Sequence, residues 1–158
     1  MGERMKRGLL LAVAHVSMVL AVAGKYAFDR STSPRVWVKA APYDPSTPLR
    51  GRYVSLSLEA EPVGIELKED LSVYSCRLAV RERKLVCIHD LQGDSQIRVD
   101  KPPRLVAPVL FFIPEHILDP SRRESDEELW VEVTVPPSGP PRPIQLGIRK
   151  AGKLVPAN

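Results

Sequence analysis

With 158 residues, 44% of them hydrophobic and 27% charged, the chain has the composition of a folded protein with room for one ordinary domain and a leader, which excludes an intrinsically disordered polymer. Of the formal charge of +4, Arg4, Lys6, Arg7 and Glu3 together supply +2, leaving +2 on residues 25–158. Acids and bases are interspersed there with no basic stripe for a phosphate backbone, so no nucleic-acid partner is expected.

Residues 1–7 read as a basic cytoplasmic tail. Residues 8–24 carry no formal charge, and only His15 and Ser17 are distinctly polar. Continued through Phe28, with Lys25 snorkelling and Tyr26 and Phe28 at the interface, the stretch reaches about 31 Å as a helix, the thickness of a hydrocarbon core. Residues 8–28 are therefore read as a transmembrane anchor in the lipid bilayer. The basic end faces the cytoplasm and the carboxyl domain lies outside, periplasmic if the membrane is a bacterial inner membrane. The competing reading is a cleaved signal peptide, with Ala21-Val22-Ala23 as a small-x-small site and a soluble secreted product. Both readings export the remainder.

Residues 29–34 form a polar spacer, and residues 35–158 read as an exported β-rich domain. Residues 35–41 alternate Val36 and Val38 against Trp37 and Lys39, as a first strand should. In the loop that follows, Pro42, Pro45 and Pro48 each fix φ and withhold a backbone donor, so it is neither helix nor central strand. Residues 53–60 alternate Val54, Leu56, Leu58 and Ala60 against Tyr53, Ser55, Ser57 and Glu59, and stop at Pro62 and Gly64.

Residues 71–80 and 84–90 are predicted strands around the charged turn Arg81-Glu82-Arg83-Lys84. A register pairing residue i with 163 − i sets Cys76 opposite Cys87, Leu78 opposite Leu85 and Tyr74 opposite His89, which predicts a disulfide Cys76–Cys87. The turn lacks Asn-Gly or Asp-Gly, which leaves a longer loop and a neighbouring register open.

Turn chemistry at residues 91–94 precedes a short strand at 96–99. Pro108 confines the apolar run after it to an edge or to a strand starting at 109, predicted over 109–113. Ser121 and Glu124 resemble a capping box and predict one short helix over 122–128. Residues 129–135 carry the cleanest alternation, with Leu129, Val131, Val133 and Val135 inward, and residues 144–148 alternate again after a proline-rich link. Short strands at this spacing indicate an antiparallel β-sandwich or open barrel.

No catalytic constellation emerges. His15 lies in the apolar leader, His89 on a cysteine-bearing strand, and His116 beside Glu115, where adjacent residues on a strand point apart. HExxH, GxSxG, P-loop and GxGxxG patterns do not occur. Glu59, Glu61, Glu66, Glu69 and Asp70 lack the alternating ligands and turn glycine of a calcium loop, so a solvated face is expected and no metal or cofactor. Asp44, Arg50, Gly51, Tyr53 and Leu56 form the most interesting set. Either Gly51 permits a positive φ while Tyr53 covers the sheet, or Asp44, Arg50 and Tyr53 form a recognition surface.

Residues 44–58, Asp44-Pro45 followed by Leu49-Arg50-Gly51-Arg52-Tyr53-Val54-Ser55-Leu56-Ser57-Leu58, resemble the GDYXXLXY family of bacterial membrane-anchored proteins. The leader and Phe112-Ile113-Pro114-Glu115 extend the resemblance over most of the chain. It implies one amino-terminal helix and a β-rich exported domain. The family's acidic residue is Arg52 here and its final tyrosine is Leu58, so a role needing that carboxylate or phenol is absent or relocated. The expectation is a membrane-anchored periplasmic β domain that binds an envelope or integral-membrane partner without catalysis. A soluble secreted protein and an envelope hydrolase with an unrecognised site are the alternatives.

Overall fold

A single helix, α1 (Glu3–Thr32), opens the chain in the computed structural model, which describes residues 2–43, 53–65, 72–113 and 126–157. Within α1, Lys6–Thr32 is long and apolar enough to cross a membrane. His15 lies in this stretch and donates from Nδ1 to the Leu11 carbonyl at 2.8 Å, so the imidazole is satisfied by its own helix. The expected spacer is shorter than predicted, because residues 29–32 continue the helix. The Ser31 and Thr32 hydroxyls also donate to the Phe28 carbonyl in the last turn, satisfying these polar side chains within the helix. Ser33 is extended, as a residue before proline prefers, and the helix stops there.

The chain divides into Met1–Ser33 and Pro34–Asn158, and the second unit is mainly β. One sheet has six antiparallel strands: β1 (Arg35–Pro42), β2 (Tyr53–Leu58), β8 (Val109–Phe112), β9 (Glu128–Thr134), β10 (Arg142–Lys150) and β11 (Lys153–Ala157), in the order β11-β10-β9-β1-β2-β8. The other has five, β3 (Glu61–Val63), β4 (Val73–Arg81), β5 (Lys84–His89), β6 (Ser95–Arg98) and β7 (Arg104–Leu105), ordered β3-β5-β4-β6-β7, with β3 and β5 parallel. The chain crosses between sheets after β2. Glu59 bridges Arg104, and the Ala60 amide donates to the Pro103 carbonyl at 3.2 Å.

The alternation read in the sequence packs one core between the sheets. Leu56, Leu58, Leu129, Val131, Val133 and Leu146 from the larger sheet meet Cys76, Cys87 and Ile97 from the smaller, all of them essentially inaccessible to water. Prolines manage the margins: β3 holds Pro62 and β11 holds Pro156, while β8 starts just after Pro108 and the two-residue β7 just after Pro103. A proline at an edge removes a donor that another chain would otherwise pair with.

Several expectations need correction. The β4–β5 register pairs i with 165 − i, so Cys76 faces His89 and Leu78 faces Cys87. The cause is a two-residue turn at Glu82-Arg83, both at positive φ, which centres the hairpin one residue later than the predicted pairing. A shift of two preserves side-chain parity. The cysteines therefore stay on one face as diagonal neighbours with Cα atoms 5.5 Å apart, and the disulfide forms. The strand predicted over 53–60 ends at Leu58, before Pro62, and Pro62 itself sits in the separate strand β3, where an edge tolerates it. Glu128 begins β9 rather than ending a helix, and the rest of that predicted helix lies outside the described residues, apart from Asp126 and Glu127, which are not helical. The strand predicted over 144–148 extends to Arg142–Lys150, with a bulge between Pro143 and Gln145. It is followed by the unpredicted β11, reached through Ala151-Gly152, both at positive φ.

Candidate interaction surfaces

Of the predicted site residues, Asp44, Arg50 and Gly51 lie outside the described residues, as do Glu115, His116, Glu66, Glu69 and Asp70. Tyr53 and Leu56 stand three residues apart on β2 and point to opposite faces. Leu56 is 0% exposed, a core residue rather than part of a surface, whereas Tyr53 is 44% exposed. Glu59 and Glu61 face cations, at 3.8 Å from Arg104 and 3.2 Å from Lys84.

Tyr53 has company that the sequence did not suggest. Across the β2–β8 ladder it stands opposite Phe112, ring centroids 5.5 Å apart and edge to face, and Ser55 stands opposite Leu110. The Tyr43 amide donates to the Ser55 carbonyl at 2.9 Å, bringing a second exposed tyrosine to this part of the sheet. Tyr43, Tyr53, Leu110 and Phe112 are all exposed, and β8 ends the sheet. Phe112 and Leu110 could have been found from the outward phase of their strand, but their partnership with Tyr53 depends on a pairing between segments nearly sixty residues apart.

Further along the outer face, Trp37 on β1 and Trp130 on β9 are half-buried. Lys39 donates to Glu128 at 2.6 Å, the Trp130 indole donates to the same carboxylate at 3.2 Å, and Gln145 donates to Glu132 at 2.9 Å. The Arg149 guanidinium lies over the Trp130 ring, 5.2 Å from its centroid. The Lys39 and Trp130 hydrogen bonds, aided by the positive charges of Lys39 and Arg149, hold the Glu128 carboxyl below the ordinary glutamate range against the opposing effect of burial. Trp37 and Trp130 also line a groove of about 340 Å³ with Leu85 and Ala60. Of the cations along it, Lys39 and Lys84 are engaged by Glu128 and Glu61. This face is largely satisfied within itself.

Another depression, about 210 Å³, has a different character. Tyr43, Ser57, Arg98, Asp100, Lys101 and Arg104 contribute to its wall. Sequence reasoning missed it because its residues come from the end of β1, from β2 and from the β6–β7 segment, which only the crossing between sheets brings together.

Among the described residues, no group of three or more histidines, cysteines and carboxylates is arranged to hold a metal ion. No protein-family model, curated protein or solved structure matches the chain.

Proposed function

We propose that this is a single-pass protein of a bacterial inner membrane, amino end in the cytoplasm, whose periplasmic β domain is a non-catalytic binding module for an envelope or integral-membrane partner. The observation that carries the reading is the apolar stretch Lys6–Thr32, which ends only two residues before β1 begins. A domain so tethered works within reach of the bilayer. Basic residues before the apolar run favour a cytoplasmic amino end. The Cys76–Cys87 bridge suits an oxidising compartment. The exposed Tyr43, Tyr53, Leu110 and Phe112 supply an amphipathic aromatic surface of the kind that interfaces use. The likeness of residues 44–58 to the GDYXXLXY family is a proposal that points the same way.

Carbonate extraction of membranes followed by intact mass measurement tests the reading. The expected species resists extraction and retains residues 1–23. A soluble mature chain beginning at Gly24 would replace the anchor with a cleaved signal peptide.

A further inference from the structure

We propose that the depression between Ser57 and the β6–β7 segment is a binding site for a phosphoryl group. Arg98, Lys101 and Arg104 bring three positive charges to its wall, against Asp100 in the wall and Glu59 at 3.8 Å from Arg104, which leaves a surplus of positive charge for an anion. Its volume of about 210 Å³ accommodates a phosphate with part of whatever bears it.

The state of these cations separates the site from the tryptophan groove. Arg98 meets Asp100 only at 3.8 Å, beyond hydrogen-bond distance, so most of its guanidinium donors are uncommitted. Among the described residues Lys101 has neither an ion pair nor a hydrogen bond. Arg104 reaches Glu59 through Nη2 at 3.8 Å, while its Nε is sealed from solvent without an acceptor. The Arg104 side chain is 38% exposed, so an oxyanion in the depression meets the exposed part of the guanidinium and not the sealed Nε.

The neighbours suit phosphate better than carboxylate. Ser57 and Tyr43 also line the wall, and two guanidinium groups with an ammonium supply more donors than the two oxygens of a carboxylate can use, a number that the oxygens of a phosphate suit. Pro102 and Pro103 separate Lys101 from Arg104 and fix φ at two successive positions, so these cations are presented on backbone with little freedom left to lose. The phosphoryl group could belong to a soluble phosphomonoester or to an anionic lipid headgroup, and the chemistry at the pocket is the same.

The test uses the full chain in neutral-detergent micelles, titrated calorimetrically with inorganic phosphate and with glycerol phosphate. A parallel arm measures flotation of the same protein with phosphatidylcholine vesicles containing or lacking phosphatidic acid. The expected result is saturable binding that weakens about tenfold in Lys101→Gln and again in Arg98→Gln, with unchanged melting temperatures. The exposed and remote Lys153→Gln leaves it unchanged. Binding of glycerol phosphate assigns a soluble ligand, and binding only of phosphatidic acid vesicles assigns a headgroup; either upholds the site. Failure of both arms overturns it, as does binding indifferent to Lys101→Gln and Arg98→Gln, or acetate competing as well as phosphate. The titration reads the pocket wherever the chain resides, so its outcome is separable from that of the membrane assignment.

Discussion

Trp37 lies against the backbone of Gly147, two strands away in the larger sheet: a Cβ built on the glycine would stand 2.9 Å from the indole Cζ3 and 3.2 Å from Leu154 Cδ1. The glycine is a seat for the ring. Gly147→Ala should therefore destabilise the β domain by about 1–3 kcal/mol through overpacking, measured by urea denaturation. Trp37→Phe removes part of the colliding ring, so the double variant should lose less than the sum of the two single losses. Strict additivity would mean that the ring does not set the cost.

The β4–β5 hairpin turns through Glu82 and Arg83, both at positive φ, where side chains other than glycine and asparagine are strained. Combining Glu82→Asn with Arg83→Gly supplies the residue types that such a turn favours and should stabilise the domain by about 1 kcal/mol. The disulfide below the turn spans eleven positions, and Cys76→Ala with Cys87→Ala should cost about 3 kcal/mol on the chain-entropy account. Both shifts are read from denaturation midpoints at constant m-value. A turn variant less stable than wild type would contradict the strain argument.

Glu128 provides a pH signature. Its folded-state pKa is depressed, so its contribution is fully present above the unfolded-state value of about 4.3 and is lost as pH falls through the lower folded value. The side chain is 41% exposed and solvent screens the pair with Lys39, so the contribution is held to about 1 kcal/mol or less. Glu128→Gln should flatten the fall in stability between about pH 5 and pH 3. Denaturation series at several pH values decide it, and an unchanged slope would assign the acid sensitivity to other carboxylates.

Tyr53 and Phe112 form the exposed cross-strand pair at the β8 edge. Tyr53→Ala should cost about 0.5–1.5 kcal/mol in stability through the lost ring contact. If this edge is the partner surface, crosslinking from membranes should recover markedly less partner with Tyr53→Ala and with Phe112→Ala, and undiminished partner with Lys153→Gln. Equal recovery throughout would remove the aromatic edge from the binding reading.

The sequence by itself determined what depends on local periodicity. The leader's apolar run, the inward phase of Val54, Leu56, Leu58, Leu129, Val131 and Val133, and the cysteine pairing were legible because each follows from a repeat of two or 3.6 residues, or from parity. Parity explains why the disulfide survived a register wrong by two. The tertiary structure alone decided what rests on backbone dihedrals and long-range pairing. Positive φ at Glu82, Arg83 and Ala151 fixed one register and made room for β11, although none of these is a residue type that announces such a turn. Chain crossing after β2 gathered Tyr43, Ser57, Arg98, Lys101 and Arg104 around one depression. Their separation along the chain spans some sixty residues, and no local pattern encodes a contact whose geometry is set by how two sheets pack.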